Sequence, residues 1–527
     1  MENAVKTDVL IVGAGPTGLS LALQLMRYGI DFVIIDKKEG VTDLSKALIV
    51  HARTLEIYDQ IGLARKAVEA GEKVQKGALM HSGKISAHLD FSDFGSQLSS
   101  FPFLLIYEQS KNEHLLYGEL RRNGNDVQWQ TGLQSLKQDA AGVYTVLKDT
   151  DGQTHSVEAR YVVGCDGSGS ETRHLLGLGF EGSTHPRLFY VADVEMEFQA
   201  EKGTFYAPME ENSFVLIVPM QGGKHWRLIG NLPEHENSDH DVSVEEAEAK
   251  VKQLVQQPLD ITKVRWFSTY RVHTRRAERF SLGRCFLAGD AAHVHTPAGG
   301  QGMNTGIQDA YNLAWKIALV LRGEASHSLL DSYNEERVAN AKRLLQSTDQ
   351  FFDIAASDKW YLRLFRNSIF PTVASIATRF DVAKEILFPT VSQIGINYRE
   401  SALSLHNSDA DFDVKAGDRM PYFKIDGASI YDRLNDPKFH LLVFSDGEQS
   451  YGDRQASLVA KYGDLLDVNV VPLYPRVIEL FGTNRPFTVL LRPDNYIGYI
   501  YPGYSSEDVE SYLDKVIGHS STQLSYE

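Results

Sequence analysis

The sequence predicts an α/β fold, and three observations lead to this prediction. Apolar residues 9–12 enter a glycine-punctuated turn and continue into a helical pattern, which indicates a strand, a tight turn and a helix. Residues 181–275 contain stretches of alternating apolar and polar residues, typical of a sheet with one solvated face. From Asp411 onwards strands and helices alternate again. The chain has 527 residues, enough for roughly two to four domains.

The first turn has the pattern Gly-x-Gly-x-x-Gly, formed by Gly13, Gly15 and Gly18. In such a turn the first glycine permits the tight bend and the second lets a pyrophosphate approach the helix N-terminus. The third allows the helix to pack closely on the strand. A second apolar run, residues 32–35, ends at Asp36, about 20 residues further on, where a carboxylate binds a ribose hydroxyl. Because both strands and the acid are present, the pattern predicts a Rossmann-like dinucleotide site rather than a loop without a ligand.

Charge and apolar patterning exclude several classes of protein. The formal net charge of −16 argues against a nucleic-acid partner and against a polybasic membrane patch. We expect no membrane-spanning helix, since no segment holds about 18 uninterrupted apolar residues. The apolar N-terminal stretch lacks a basic segment before it and is broken by Gly-Pro-Thr-Gly, so it does not resemble a secretory signal.

Cysteine and histidine content predicts no metal site. The two cysteines, Cys165 and Cys285, are too few for a disulfide framework and stand in apolar surroundings, so we expect a reducing cytoplasm. His293 and His295 form a close pair without a third ligand nearby. Structural hydrogen bonding is therefore favoured over metal binding, which usually needs three or more ligands.

A second glycine-rich signature lies in the middle of the chain. Apolar residues 286–288 lead into Gly289 and Asp290, and the run from Pro297 to Asn304 opens a long pattern of helical periodicity. Backbone N–H groups at the start of this helix carry partial positive charge. They would suit the electron-rich pyrimidine edge of a reduced flavin.

Together these motifs resemble those of the group A flavoprotein monooxygenases, the aromatic hydroxylases of the p-hydroxybenzoate and phenol hydroxylase type. The resemblance rests on Gly289-Asp-Ala-Ala-His293, on the run 297–304 and on the helical segment 308–316. It also rests on Asp166-Gly-Ser-Gly-Ser, which resembles a family motif that serves FAD and transient docking of NAD(P)H. The resemblance spans residues 5–345.

Three further segments resemble the larger members of this family, which include phenol hydroxylases, polyketide hydroxylases and rifampicin monooxygenases. They are residues 397–401, 416–421 and 492–494. The resemblance implies a C-terminal thioredoxin-like domain. Because no cysteine follows Cys285, this domain cannot carry out dithiol exchange. We expect it to serve packing or oligomer contacts, with a homodimer left open, and to be dispensable for flavin binding.

The resemblance implies an FAD-dependent monooxygenase that uses NAD(P)H and O2 to hydroxylate a small aromatic substrate, either phenolic or of a polyketide or antibiotic type. In such enzymes a flavin C4a-hydroperoxide transfers the oxygen. We therefore expect no catalytic triad, since the cofactor carries the chemistry while the protein orients the reactants and excludes water. Two alternatives stay open: an FAD oxidase or dehydrogenase without oxygen insertion, and a non-catalytic flavoprotein binding module. The sequence identifies neither the substrate nor the preferred nicotinamide.

The motifs and the resemblance imply a set of cofactor-binding residues. Pro297, Gly299 and Gly300 are expected near the isoalloxazine. Lys46 stands where the family often has arginine, and a lysine offers a point charge without a bidentate fork. The full set is Gly13, Ala14, Gly15, Pro16, Thr17, Gly18, Asp36, Lys37, Lys46, Gln109, Leu133, Asp166, Gly289, Asp290, Pro297, Gly300, Gln301, Gly302, Met303 and Asn304.

The resemblance places the substrate between the flavin domain and the strand-rich middle of the chain. The large side chains in that region are equally consistent with two roles, contact with an aromatic substrate and packing in the core of the sheet. The candidates are Phe205, Tyr206, Phe214, Trp226, Arg227 and Phe267.

The predicted fold is thus a Rossmann-like FAD-binding domain with an inserted mixed β-sheet substrate domain and a C-terminal thioredoxin-like α/β domain. The FAD-binding domain is expected in two parts, residues 1–180 and 276–350. The substrate domain takes residues 181–275, a helical linker residues 351–410, and the thioredoxin-like domain without a CxxC motif residues 411–527.

Overall fold

The computed structural model describes residues 4–43, 45, 47–92, 95–210, 213–232, 242–296, 298–356, 388–406, 411–447 and 452–517. Two residues of the predicted cofactor site, Lys46 and Pro297, lie outside this part of the chain. Most of the predicted helical linker, residues 357–387 and 407–410, also lies outside it. Among the described residues, no helix is both long and apolar enough to cross a membrane.

The strands, numbered in chain order, are β1 (Val5–Val12), β2 (Phe32–Ile35), β3 (Ile49–Val50), β4 (Glu72–Val74), β5 (Lys76–His81), β6 (Lys84–Asp90), β7 (Leu104–Ile106), β8 (Thr131–Gln138), β9 (Val143–Asp149), β10 (Thr154–Gly164), β11 (Phe180–Phe198), β12 (Thr204–Glu210), β13 (Ser213–Pro219), β14 (His225–Leu232), β15 (Leu259–Ala277), β16 (Ser281–Leu282), β17 (Cys285–Leu287), β18 (His293–Val294), β19 (Lys424–Ile425), β20 (Ala428–Ser429), β21 (Phe439–Ser445), β22 (Leu466–Pro472), β23 (Phe487–Leu491) and β24 (Ile497–Pro502).

The helices are α1 (Pro16–Arg27), α2 (Ala52–Asp59), α3 (Ala64–Ala70), α4 (Gln109–Arg122), α5 (Glu171–Leu175), α6 (Val244–Val255), α7 (Gly302–Leu321), α8 (Asp331–Ala356), α9 (Gly452–Tyr462), α10 (Pro475–Phe481) and α11 (Ser506–Ile517). The predicted strand, turn and helix at the start of the chain are confirmed as β1 and α1. The predicted long helix after the second glycine-rich run is confirmed as α7.

The first sheet has the order β16-β17-β10-β1-β2, and β9 and β8 extend it as antiparallel strands from β10. Strands β17, β10, β1 and β2 are mutually parallel, so their carboxyl ends share one edge. This is the edge where open α/β sheets bind ligands. Helices α1 and α7 pack together in the core on one face of the sheet. The glycine-rich segments before α1 and α7 therefore meet at the same edge.

The second sheet has eight strands within the described residues, in the order β18-β15-β11-β14-β13-β12-β5-β6. One face is covered by α6, whose Val251 and Leu254 join the core of that face. On the opposite face, Phe205 and Val218 pack in one cluster with Leu48 and with Ile49 of β3. The sheet also takes in β5 and β6, which come from the region assigned above to the first part of the flavin domain. The predicted boundaries follow chain order and therefore placed β5 and β6 in the flavin domain. Pairing between strands far apart in sequence brings these two strands into the second sheet instead.

The third sheet has the order β22-β21-β23-β24, with β21 and β22 parallel and the other pairs antiparallel. Alternate residues of β21 face different cores. Leu442 and Phe444 belong to a core within the C-terminal unit. Leu441 and Val443 belong to the core that also contains α1 and α7. The C-terminal unit, described over residues 411–447 and 452–517, packs directly on α7, since the rings of Phe439 and Trp315 lie edge to face with their centroids 6.1 Å apart.

A buried set of charges ties the C-terminal unit to α7 and α8. The guanidinium of Arg492 donates to both oxygens of Glu336, at 2.5 and 3.0 Å, and to Asp494 at 3.0 and 2.6 Å. Lys316 donates to Glu336 at 2.8 Å. None of these four side chains is more than 1% exposed. Because deleting the C-terminal unit removes Arg492 from Glu336, we expect the deletion to destabilise the rest of the chain. That flavin binding does not need this unit stays a prediction.

Candidate functional site

The Gly-x-Gly-x-x-Gly turn follows β1 at the ligand-binding edge of the first sheet. Gly13 has a φ of 107°, and a Cβ there would lie 2.4 Å from the carbonyl oxygen of Cys165. A Cβ on Gly18 would lie 1.9 Å from the carbonyl oxygen of Gly13. At Gly15, by contrast, a Cβ would meet nothing within 4 Å. Packing thus requires glycine at positions 13 and 18. Gly15, between them, borders open space at the N-terminus of α1, as a phosphate cradle requires.

Asp36 follows β2 and closes this turn. Its carboxylate accepts a hydrogen bond from the backbone N–H of Ala14 at 2.7 Å and from that of Lys38 at 2.8 Å. Asp36 is only 8% exposed, whereas Lys37 beside it is exposed. The acid predicted to bind a ribose therefore lies against the turn predicted to bind the pyrophosphate.

Asp166 lies two residues after the end of β10, beside the same turn. Its carboxylate accepts hydrogen bonds from the hydroxyl of Ser170 at 2.5 Å and from the N–H of Thr172 at 2.9 Å, and so caps α5. Arg173 of this helix donates to the carbonyl of Ala291 at 2.9 Å. The third motif is thereby tied to the Gly289-Asp290 turn.

The Gly289-Asp290 turn lies over the start of α1. Gly289 has a φ of 61°, and a Cβ there would lie 2.5 Å from Oγ1 of Thr17. Asp290 is exposed at the edge of the site. The backbone N–H of Gly289 donates to the buried carboxylate of Asp309 at 2.9 Å. The structure therefore brings the first and second signatures into contact.

Asp309 holds this turn from behind. It accepts hydrogen bonds from His293 at 2.8 Å and from Arg337 at 2.6 Å. Burial alone would raise the pKa of Asp309, but Arg337 and then His293 outweigh it, so the pKa is lowered and the group is a carboxylate. His293 is thus engaged in a structural hydrogen bond, and sequence reasoning had not identified Asp309 as its partner.

Asn304 forms the first turn of α7 and is fully buried. Its amide nitrogen donates to the carbonyls of Ile49 and Gly300 at 2.8 and 2.9 Å. Its amide oxygen accepts from the N–H of His51 at 2.9 Å and from Thr54 at 2.7 Å. The side chain is therefore used within the protein, and only the backbone of Asn304 could face a flavin. Met303 accepts a weak hydrogen bond from Asn112 at 3.4 Å.

Gln109 begins α4 and binds the segment that leads to β3. Its side-chain oxygen accepts from the N–H of Ala47 at 3.1 Å, and its nitrogen donates to Glu113 at 3.0 Å. Glu113 also accepts from Lys38 at 3.3 Å. Leu133 lies elsewhere, packed against β1 and β2 in the core of the first sheet.

The six candidate substrate residues fall on opposite faces of the second sheet. Tyr206, Trp226 and Phe267 pack in the core under α6, away from the flavin motifs. The other three occupy the opposite face. Phe205 joins the cluster that contains Leu48, Val74 and Val218, and Phe214 packs with Phe189 and Tyr270. Arg227 forms a bidentate ion pair with Asp193 at 2.6 and 2.7 Å. Alternation along each strand explains the division, and the sequence alone could not tell which face lies towards the site.

Comparisons with known proteins agree with this geometry. Residues 6–348 match the FAD binding domain family. The 6-methylpretetramide 4-monooxygenase of Streptomyces rimosus is 31% identical over 93% of this chain and 90% of that protein. The pentachlorophenol 4-monooxygenase of Sphingobium chlorophenolicum is 31% identical over 93% of each chain.

A solved structure shows the same fold. The flavin-dependent monooxygenase PieE, in complex with FAD and substrate, covers 98% of this chain and 99% of its own with a TM-score of 0.82 at 22% identity. The prediction of an FAD-dependent monooxygenase is confirmed, and the oxidase and binding-module alternatives are not favoured. The chain belongs to the FAD binding domain family and, within it, to the group A FAD-dependent aromatic monooxygenases.

Proposed function

We propose that this enzyme uses NAD(P)H and O2 to hydroxylate a small phenolic or polyketide-like aromatic substrate. The observation that carries the proposal is the convergence of all three glycine-containing motifs on one edge of the first sheet. Thr17 contacts Gly289 there, and Arg173 ties the Asp166 turn to Ala291. The two relatives named above act on a pretetramide and on pentachlorophenol, according to their names, which supports this substrate class.

The residues of this edge fit FAD, since the open space at Gly15 offers a cradle that any side chain would fill. When bound, FAD accepts electrons from the nicotinamide and activates O2 for transfer to the substrate. The N-terminus of α1 would hold the pyrophosphate and Asp36 the ribose. Asp290 would bind the ribityl chain, and the backbone of Gly302, Met303 and Asn304 the pyrimidine edge of the ring.

We propose that the substrate lies between this edge and the face of the second sheet opposite α6. Phe205, Phe214 and Arg227 are on that face, so we retain these three candidates and assign the other three to the core. The apolar lining would exclude water from the reacting atoms. The Arg227 and Asp193 ion pair would present a polar, charge-balanced group to the substrate.

The C-terminal unit is proposed to be thioredoxin-like. The strand order β22-β21-β23-β24, with a parallel first pair and helices α9 to α11, supports this assignment. We also propose the domain limits given above, with β5 and β6 added to the substrate domain. We also propose that two copies of the chain form a homodimer through the C-terminal unit.

The proposal is tested by following flavin reduction in a stopped-flow instrument. Purified protein with bound FAD is mixed anaerobically with NADPH or NADH, with and without members of a panel of phenols and polyketides. We expect one nicotinamide to be preferred and a true substrate to accelerate reduction, because reduction gated by substrate avoids wasted oxygen. Reduction by neither nicotinamide under any condition would exclude the proposed electron donor.

A further inference from the structure

His51 is a fully buried histidine that lies outside the glycine motifs. It stands between β3 and α2 with extended backbone angles, φ −83° and ψ 162°, and its side chain does not cap α2. Instead, Nε2 of His51 lies 2.9 Å from the carbonyl oxygen of Gly299. A carbonyl can only accept, so Nε2 carries the hydrogen and donates it.

The imidazole of His51 is neutral in the folded protein. Burial lowers the pKa of His51 to about 4, and its contacts with the backbone of Gly299 and Gly300 offset this only in part. Nδ1 has no hydrogen-bond partner among the described residues. Among the described residues, the hydrogen bond that this side chain donates is therefore the one from Nε2 to Gly299.

Gly299 and Gly300 belong to the loop 298–301, which precedes α7. Both have positive φ, 72° and 63°. Two adjacent glycines have unusually large conformational freedom to lose when they become ordered. Their carbonyls are held by two donors, Nε2 of His51 for Gly299 and the amide of Asn304 for Gly300.

The two donors are themselves connected. The backbone N–H of His51 donates to the side chain of Asn304 at 2.9 Å, and the same side chain holds the carbonyl of Ile49. Ile49 closes the remaining side of the loop, since a Cβ on Gly300 would lie 3.0 Å from Cβ of Ile49. The junction of β3 and α2 thus holds the carbonyl of Gly299 directly, and it holds that of Gly300 indirectly, through Asn304 of α7.

We propose that His51 is a positioning residue that preorganises the loop 298–301 for FAD. The inference rests on the placement of FAD at this loop given under the proposed function. Because the carbonyl of Gly299 is held in the apo protein, the loop loses its conformational entropy when the protein folds and not when FAD binds. Without the Nε2 donor, Gly299 would become ordered only when FAD binds, and the entropy lost would weaken the binding.

The test compares full-length apo variants titrated with FAD. His51→Leu removes the donor, and His51→Gln keeps an N–H donor without the second ring nitrogen. We expect the FAD dissociation constant to rise about tenfold for His51→Leu, which corresponds to ordering one backbone residue, and to stay within about twofold of the parent for His51→Gln. The visible circular dichroism of bound FAD, which reports the surroundings of the ring, should change in the leucine variant and recover in the glutamine variant.

Two controls separate positioning from mere stability. Gly299 is exposed, so water can replace the lost hydrogen bond, and the melting temperature of the apo leucine variant should stay near that of the parent. His440 is also fully buried but lies in the C-terminal unit, so His440→Leu should leave the FAD dissociation constant unchanged. If His51→Leu does not fold, His51→Met takes its place.

Equal FAD affinity and dichroism in the parent and the leucine variant would overturn the proposal. Equal loss in the leucine and glutamine variants would also overturn it, because the donor would then not be what matters. Failure of the proposed reaction is seen separately, since all these measurements use FAD alone and need neither NAD(P)H nor a substrate.

Discussion

Replacing Arg492 with methionine tests how the C-terminal unit is held on the flavin domain. Arg492 and Lys316 balance Glu336 and Asp494 in a buried group of four charges. The substitution keeps much of the side-chain volume but removes one cation. Two carboxylates then share one ammonium group. Removing one partner of a buried ion pair typically costs about 3–5 kcal/mol.

This loss is large compared with the total stability of a protein, roughly 5–15 kcal/mol. Arg399 offers a matched control. It binds Asp418 with the same bidentate geometry, at 2.7 and 2.8 Å, but its side chain is 50% exposed. Solvent screens such a pair, so Arg399→Met should cost only about 0–1 kcal/mol.

The assay is urea unfolding of both variants, followed by near-ultraviolet circular dichroism. A third variant, Arg492→Met with Glu336→Met, restores the charge balance, because Lys316 and Asp494 remain as one cation and one anion. We expect it to be more stable than Arg492→Met alone. If Arg492→Met and Arg399→Met lose the same stability, or if the double variant is the least stable of the three, the reasoning about the buried network is refuted.

Three further predictions concern the flavin edge and its surroundings. Asp290→Ala should weaken FAD binding by roughly 1.5–3 kcal/mol, the value of a hydrogen bond to a charged group. Asp151→Ala, in an exposed turn, is the control and should leave binding unchanged. Equal FAD dissociation constants for the two variants in a fluorescence titration would contradict the role of Asp290. Burial raises the pKa of the Cys165 thiol and raises that of Cys285 to about 12, so the Cys165→Ala and Cys285→Ala double variant should reduce its flavin at the parental rate, and a slower rate at equal FAD content would reveal a redox role. Burial lowers the pKa of His51 from 6.5 to about 4, so as the pH falls His51 binds a proton in the unfolded chain before it does so in the folded protein. His51 should therefore lower the free energy of unfolding by about 2 kcal/mol between pH 7 and pH 5. His51→Gln should lack that contribution, which urea unfolding of the parent and the variant at both pH values measures. Equal losses of stability in the two proteins would disprove the prediction.

Local patterns in the sequence were sufficient for the elements that carry the motifs. The apolar run and glycines around Gly13 could be interpreted because strand, turn and helix are adjacent in the chain. Periodicity likewise predicted α7. Such features depend on short-range geometry, which neighbouring residues determine.

Features that depend on distant partners could not be predicted in this way. Nothing in the sequence shows that Arg492 reaches Glu336, 156 residues away, or that Asp309 holds the turn of Gly289. The buried histidine His51 carries no motif of its own, and its partner Gly299 is 248 residues distant. The faces of the second sheet were equally hidden, because alternation predicts two faces without indicating which one meets the flavin domain. Charged residues inside the apolar pattern of α7, such as Asp309 and Lys316, are a signal in the sequence that such a network exists.

Oxygen labelling tests the central claim most directly. The enzyme with FAD and NAD(P)H is supplied with 18O2 and with a substrate that stimulates flavin reduction, and the product is examined by mass spectrometry. We expect one labelled oxygen atom in each molecule of product, with the second atom of O2 released as water. A product that is oxidised but carries no label would contradict it, because the enzyme would then act as an oxidase or dehydrogenase on this fold.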